Sequence, residues 1–244
     1  MKAIETENLS RRFGEKIAVD ALDLSMEAGE LFALLGVNGA GKTTTIRMLA
    51  GLLPPSGGTA KLLGHDIQSD ALAAKQLTAV SPQESAVAPK LTVRENLELM
   101  AGVYGADKPA ARAAADEVMR ELGLHEVEGQ KAKSLSGGWQ RRLSIAMALV
   151  TKPQILFLDE PTLGLDVLAR RELWKQVRAL KGRVTVVLTT HYMEEAEALA
   201  DRIGIMSTGR LKAVGTAQEL MAATGTDNFE DAFVLLAGEG RELL

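Results

Sequence analysis

The chain has no cysteine among its 244 residues. This absence excludes disulfide bonds, thiolate metal ligands and a cysteine nucleophile, and it suits a reducing compartment. No apolar run approaches the roughly 18 residues that a membrane-spanning helix requires. The first ten residues, MKAIETENLS, lack the apolar core of a signal peptide. We therefore expect a soluble, cytoplasmic chain.

The chain also lacks a large excess of charge of either sign, and it contains few aromatic residues. The chain carries 28 basic and 32 acidic residues, a net charge of -4, and only 4% aromatic residues. Without a basic surplus there is no electrostatic reason to expect nucleic acid as a partner. The remainder is ordinary for a globular protein, with 46% hydrophobic and 25% charged residues. The length allows one large domain or two small ones, and it is ample for a sizeable core.

Short apolar runs that alternate with helical patterns predict an α/β fold with a mainly parallel core sheet. We expect strands at 17–26, 31–35, 59–63, 78–81, 155–158 and 184–189. We expect helices at 42–53, 92–104, 107–123 and 166–181, and a last helix that starts at Asp227 with Glu230. The single domain, residues 1–244, then consists of an α/β core at 1–84 and 151–244 and an inserted helical subdomain at 85–150.

The most informative segment is GVNGAGKTT, residues 36–44, which follows an apolar strand and leads into a helix. Its glycines allow close approach of the backbone, so successive N–H groups and the helix N-terminus can bind phosphate oxygens. Lys42 supplies a cation for the β- and γ-phosphates, and the Thr43 hydroxyl can ligate Mg²⁺. The pattern predicts a nucleoside triphosphate site formed by Gly36, Asn38, Gly39, Ala40, Gly41, Lys42, Thr43 and Thr44.

Two other interpretations of this segment are weaker. A dinucleotide-binding turn would need a third glycine where Thr44 stands, and it gives no role to Lys42 or Thr43. A glycine-rich turn that binds nothing is the structural alternative, and the strand, loop and helix around the segment disfavour it.

Two acids, Asp159 and Glu160, follow the apolar run ILFL. Neighbouring residues of a strand point to opposite faces, and ligands of open α/β sheets bind at the carboxyl ends of strands. Asp159 can hold Mg²⁺ there, while Glu160 can act on an attacking water as a general base. A plain turn before Pro161 explains the pair as well when the phosphate loop is ignored.

A second possible phosphate-binding element is LSGGWQ, residues 135–140, which precedes a helical run. Ser136 offers a hydroxyl, Gly137 and Gly138 expose backbone N–H groups, and the helix dipole attracts an anion. In isolation an ordinary serine N-cap is the commoner explanation. One triphosphate does not need two such elements from one chain.

Taken together, these segments resemble the ATPase subunits of ATP-binding cassette (ABC) transporters over nearly the whole chain. GVNGAGKTT is similar to their Walker A motif, ILFLDEP to Walker B with Glu160 as catalytic base, LSGGWQ to the signature motif and LGLD, residues 163–166, to the D-loop. Trp139 stands where the commonest signature has glutamine, so no contact of that glutamine side chain is carried over. The implied fold is a P-loop NTPase with an N-terminal antiparallel β subdomain and an inserted α-helical subdomain.

The resemblance also assigns roles to single residues. Phe13 corresponds to the aromatic residue on which adenine stacks, Gln83 to a glutamine that contacts Mg²⁺ or water, and His191 to the histidine that senses the γ-phosphate. Phe13 as an ordinary half-buried aromatic residue and Gln83 as a plain loop residue remain alternatives. The implied catalytic residues are Glu160, His191 and Lys42, the further nucleotide ligands are Ser136, Gly137, Gly138 and Asp166, and the metal ligands are Thr43, Gln83 and Asp159.

As a function, the resemblance implies a Mg·ATP-dependent ATPase that dimerises head to tail with a second ATPase subunit, identical or related. The signature of one subunit would close over the ATP held by the other. A separate membrane permease would carry the substrate and hold the chain at the inner face of the membrane. The segment DNFEDAFVLLAG resembles the short C-terminal part of exporter ATPases, and no long regulatory domain follows, so export is favoured.

A soluble ABC ATPase that serves a scaffold, such as one for cofactor assembly, is the alternative function. Relatives in DNA repair would need a long coiled-coil insertion, and no sustained heptads occur between the phosphate loop and LSGGWQ. Relatives in translation carry two cassettes in one chain. A P-loop kinase is disfavoured by Glu160 and the Ser-Gly-Gly element.

Overall fold

The computed structural model describes residues 1–238 and arranges them as two sheets flanked by helices. The strands are β1 Lys2–Phe13, β2 Lys16–Glu27, β3 Leu31–Leu35, β4 Gly57–Leu62, β5 His65–Asp66, β6 Thr78–Ser81, β7 Ile155–Asp159, β8 Thr185–Thr190, β9 Arg202–Ser207 and β10 Arg210–Gly215. The helices are α1 Lys42–Leu49, α2 Ala71–Gln76, α3 Val93–Val103, α4 Lys108–Glu121, α5 Gly137–Leu149, α6 Val167–Ala179, α7 Met193–Leu199, α8 Ala217–Thr224 and α9 Phe229–Ala237.

The larger sheet has the strand order β10-β9-β3-β8-β7-β6. Neighbouring strands from β9 to β6 are parallel, and only β10 pairs antiparallel with β9. The strands β3, β7 and β8 are buried at every position. Such unbroken apolar runs are typical of parallel strands that are covered on both faces, and the expected mainly parallel α/β core is confirmed.

The two faces of this sheet pack against different layers. Leu31, Ala33 and Leu35 of β3 belong to a core shared with α3 to α9. Phe32 and Leu34 point the other way, into a core with α1, α2 and the smaller sheet. The smaller sheet is antiparallel, with the order β2-β1-β4-β5. Because successive side chains of β3 point to opposite faces, this one strand packs against both layers.

The region between β6 and β7 is mainly helical, as expected from its sequence. Thr92 and Glu95 form a capping box at the start of α3, and the Asp107 side chain caps α4. The helices α3 and α4 pack on each other, whereas α5 also packs against β6 and β7 of the large sheet. Residues 85–150 as a separate subdomain stay a prediction.

Two of the differences between predicted and observed helix ends have a clear local cause. The first helix ends at Leu49 rather than at residue 53, because Gly51 adopts a left-handed conformation with φ of +66° and turns the chain away. The last helix starts after Asn228 rather than at Asp227, since the Asn228 side chain accepts the Asp231 N–H at 2.9 Å.

No helix within residues 1–238 combines the length and the apolar character that crossing a membrane requires.

Candidate active site

Most of the predicted site residues lie at the carboxyl edge of the parallel strands. The phosphate loop follows β3, His191 follows β8, Glu160 follows β7, and Gln83 comes two residues after β6. Register aligns these strand ends, since Leu35 pairs with Thr190, Asp159 with Thr189 and Ser81 with Leu158. This edge is where open α/β sheets bind their ligands.

The phosphate loop depends on backbone shapes that only glycine takes readily. Gly39 has φ of +83° and Gly41 has φ of +105°, and a Cβ on Gly41 would lie 2.5 Å from the Ala18 carbonyl oxygen. Gly41 is also the N-cap of α1 and has no side chain to pair with the N–H groups of the first turn. These N–H groups remain for an anion at the helix N-terminus.

Three predicted catalytic side chains meet at one carboxylate. Lys42 Nζ lies 3.2 Å from Glu160 Oε1, and His191 Nδ1 lies 2.7 Å from Glu160 Oε2. Lys42 Nζ also donates to the carbonyl oxygen of Gly36 at 2.7 Å. Glu160 is buried and has φ of +48°, a left-handed backbone that is uncommon for a residue other than glycine. Such local strain is concentrated at functional sites.

Asp159 joins the phosphate loop to the neighbouring strands. Its Oδ1 accepts hydrogen bonds from Thr43 Oγ1 at 2.9 Å and from Thr189 Oγ1 at 2.6 Å. The residue is 5% exposed, and no Lys, Arg or His side chain within residues 1–238 forms a salt bridge with it. Burying a carboxylate without a directly bound cation is costly, and a metal ion beside the Thr43 hydroxyl would supply such a partner.

An open cavity of about 480 Å³ lies over this edge, a size common for ligand sites. Phe13 lies at the rim of this cavity and is 47% exposed, whereas a phenylalanine side chain usually lies in the core. Gln83 lies in the wall of the cavity. The lining residues are Phe13, Lys16, Ala18, residues 38–44, Gln83, Glu160, Leu163 and His191.

The Ser-Gly-Gly element lies elsewhere and lines a second cavity together with α6. Ser136 is the N-cap of α5, but its exposed side chain makes no capping hydrogen bond, so simple capping does not explain the serine. Gln140 Nε2 instead fixes the preceding loop by donating to the carbonyl oxygens of Ala132 and Leu135 at 3.1 and 3.2 Å. Trp139, which stands where the commonest signature has glutamine, stacks with Arg142, whose guanidinium carbon is 4.3 Å from the ring centroid.

Asp166 is separate from both cavities. Its carboxylate caps α6 by accepting the N–H groups of Leu168 and Ala169, each at 2.9 Å. The structure of this chain therefore gives Asp166 a capping role, and the nucleotide contact expected of it stays a prediction.

Sequence reasoning missed three further residues at this site. Lys16 lines the cavity from the first position of β2, and no motif marks it. Thr189 binds Asp159, and a hydroxyl residue at the end of an apolar strand was an available signal. Arg141 donates to the carbonyl oxygen of Asp159 at 2.7 Å from α5, and a basic residue in a helix gives no such signal.

Comparison with known proteins agrees with this geometry. The sequence profile of the family described as ABC transporter matches residues 19–163. The chain is 43% identical to the daunorubicin resistance ATP-binding protein DrrA3 of Streptomyces coeruleorubidus, a match that covers 93% of this chain and 72% of that protein. It is 43% identical to Nod factor export ATP-binding protein I of Burkholderia orbicola (89% of this chain, 72% of that protein) and 41% identical to the linearmycin resistance ATP-binding protein LnrL of Bacillus subtilis (92% and 72%).

Solved structures show the same likeness. The ATP-binding subunit of an ABC transporter superposes with a TM-score of 0.84 at 28% identity, covering 97% of this chain and 100% of the other. A fold of this kind, with a phosphate loop and an acidic pair at one sheet edge, is that of a P-loop NTPase. The chain belongs to the ABC transporter family, and it is an ATP-binding ATPase of that family.

Proposed function

We propose that this ATPase powers export through a separate membrane permease and that it closes around ATP as a head-to-tail dimer. One observation carries the dimer: Ser136, with no capping hydrogen bond, opens a helix that lines a different cavity from the phosphate loop. The anion-binding end of α5 is therefore available to the ATP of a second subunit, an identical or a related chain.

Export is supported by the relatives. They are named for daunorubicin and linearmycin resistance and for Nod factor export. The proposed permease would contact the surface beside Gln83 and α3, where Leu99, Val103 and Tyr104 expose large apolar side chains. Such a patch is typical of a protein interface. In this arrangement the chain lies at the cytoplasmic face of the membrane.

Mg²⁺ would accompany ATP, held by Asp159, Thr43 and the Gln83 side chain. No group of three or more acidic or histidine side chains in the described part of the chain could hold a metal alone. This suits Mg²⁺, which is commonly bound by one or two carboxylates together with substrate phosphates. The bound ion would neutralise phosphate charge. The buried Asp159 carboxylate supports this assignment.

In the proposed mechanism Lys42 and the loop N–H groups, together with Gly137 and Gly138 of the second subunit, bind the triphosphate. Glu160 then orients and polarises the attacking water. His191, at 2.7 Å from Glu160, would orient the carboxylate and contact the γ-phosphate. Phe13 would stack on the adenine from the rim of the cavity. Hydrolysis removes the phosphate shared by both subunits, so the dimer opens and the permease resets.

The test is Glu160→Gln, which keeps the size of the side chain and removes its basicity. We expect ATP binding to persist, turnover to fall by roughly two to four orders of magnitude, and an ATP-bound dimer to accumulate in size-exclusion chromatography with light scattering. Glu7→Gln, at an exposed acid of β1, is the control and should hydrolyse ATP like the wild type. Unchanged turnover would remove Glu160 from the mechanism, and a strictly monomeric ATP complex would contradict the dimer.

A further inference from the structure

Arg141 is a buried cation on α5, five residues after Ser136. The residue is only 4% exposed, and this burial lowers the pKa of its guanidinium to about 10. The group therefore remains charged at neutral pH. No carboxylate forms a salt bridge with it anywhere in residues 1–238, which is unusual for a buried arginine.

Backbone carbonyl groups surround the guanidinium instead. Its Nη2 donates to the carbonyl oxygen of Asp159 at 2.7 Å, and its Nε donates to that of Pro161 at 2.8 Å. These two carbonyl groups flank Glu160, whose φ is +48°. The guanidinium thus binds the chain on both sides of Glu160.

The third guanidinium nitrogen, Nη1, faces the segment after β6. Arg141 Nη1 donates to the carbonyl oxygens of Pro82 and Gln83, the latter at 3.2 Å. One turn further along α5, Ser144 Oγ lies 3.0 Å from Ser81 Oγ in a buried hydrogen bond. The helix that begins with the Ser-Gly-Gly element is therefore tied both to the last residue of β6 and to the Gln83 segment, residues 82–83.

We propose that Arg141 is a positioning residue, which holds Glu160 in its hydrolytic orientation and links that orientation to the Gln83 segment. The proposal rests on the role proposed above for Glu160. Through Arg141, a shift of the Gln83 segment or of the N-terminus of α5 reaches the Glu160 turn directly. Neither Lys42 nor His191, which contact the carboxylate itself, provides that link.

The chemistry of the side chain supports this role over a purely structural one. The carboxylates of Asp159, Glu195 and Glu160 favour the charged guanidinium from a distance, but none of them forms a salt bridge with it. Burying a charge is expensive, and apolar residues of similar volume often stabilise a core as well or better. A guanidinium, in contrast, offers donors in a fixed planar fork and can bind carbonyl groups from two segments at once. A lysine ammonium on its flexible stem cannot reproduce that fork.

The experiment compares Arg141→Lys and Arg141→Gln with the wild type. We expect the kcat for ATP hydrolysis to fall by about 10- to 100-fold, the scale associated with misplacing a reacting group, while the Kd for ATP and the KM change little. Arg202→Gln is the matched control. Arg202 also ties two elements, through the carbonyl oxygen of Ser25 at 2.6 Å and Glu30 at 2.9 Å, but it lies at the opposite edge of the sheet.

A double-mutant cycle separates positioning from stability. In the Glu160→Gln background, Arg141→Lys should cause no further loss of residual turnover, while its effect on the melting temperature should be the same as in the wild type. An equal loss of turnover in both backgrounds would overturn the proposal. If Glu160→Gln is inactive and both Arg141 variants hydrolyse ATP normally, only this inference fails; if Glu160→Gln is active, the proposed function of Glu160 fails first.

Discussion

Glu195 is an acid with no solvent exposure, on α7 shortly after His191. Burial raises the pKa of its carboxyl above the ordinary 4.5, and the repulsion of Glu160 acts in the same direction. The neighbouring groups of Thr190, Thr162 and Trp174 work against this shift. Trp174 Nε1 donates to Glu195 Oε1 at 3.0 Å. The folded state therefore binds the Glu195 proton more tightly than the unfolded state.

The sign of the resulting pH dependence follows from this difference. The stability contributed by the neutral Glu195 carboxyl is fully present below about pH 4.5 and is lost as the pH rises through the raised pKa. Glu195→Gln keeps an acceptor for Trp174 and cannot ionise. We expect the free energy of unfolding of the variant, relative to the wild type, to increase by up to about 1.4 kcal/mol per pH unit in that window.

Urea denaturation of both proteins at several pH values between 5 and 8 measures this difference, because titrations common to both cancel. Glu194→Gln, on the same helix but exposed, should show no such trend. A difference between Glu195→Gln and the wild type that is flat with pH would show that Glu195 is ionised in the folded protein throughout the range.

At the scale of elements, the capping box of α3 is a feature that the sequence predicts and the structure contains. Thr92 Oγ1 accepts the N–H of Glu95 at 3.1 Å, and Glu95 Oε2 accepts the N–H of Thr92 at 2.7 Å. The hydrogen bond from the Glu95 N–H requires only the hydroxyl group of Thr92. The helix it starts carries Val93 and Leu97, both fully buried, into the main core.

We expect Thr92→Ala to lower the free energy of unfolding by about 1 kcal/mol, since an N-terminal N–H of α3 loses its partner. Thr92→Ser keeps the hydroxyl and should stay within a few tenths of a kcal/mol of the wild type. Chemical denaturation of the three proteins under one set of conditions measures the effect. Equal stabilities of the alanine and serine variants would mean that this cap contributes nothing beyond the backbone.

Elements with a clear local signal were predictable, and others were not. The strands β3, β7 and β8 are short apolar runs, and all three lie within one residue of where the sequence predicts them. In contrast, β1 mixes buried and exposed residues with several register shifts against β2, and β9 contains Gly204 in its middle. Strands of this kind are stabilised by their partners in the sheet rather than by their own pattern.

At the scale of the whole molecule, the same distinction applies to the site. Lys42, Asp159 and Glu160 come together at one sheet edge because parallel strands end at the same edge. The loop before Lys42 follows β3, while Asp159 ends β7 and Glu160 comes directly after it. Arg141 could not be found in this way, since it reaches the edge from a helix, and a charged helical residue is usually exposed. No local sequence pattern shows which distant segments will contact each other in the folded chain.

The separation of Ser136 from the phosphate loop leads to a prediction about assembly. In a dimer of two copies of this chain with twofold symmetry, each ATP site combines the phosphate loop of one subunit with the Ser-Gly-Gly element of the other. Lys42→Ala damages the first half of a site, and Ser136→Arg, at an exposed position, damages the second half. Each variant alone should therefore be inactive, because both of its sites are damaged.

A mixture of the two variants behaves differently. In a mixed dimer, one site contains both substitutions. The other site contains neither, because it combines the phosphate loop of the Ser136→Arg chain with the Ser-Gly-Gly element of the Lys42→Ala chain. An equal mixture should recover about a quarter of the wild-type ATPase rate, since half of the dimers are mixed and each has one working site. As the matched control, a Lys42→Ala chain mixed with the Lys42→Ala, Ser136→Arg double variant has no intact phosphate loop and should stay inactive. A site completed within one chain would give no recovery in either mixture, so phosphate release from the first mixture decides whether Ser136 acts on its own ATP or on that of its partner.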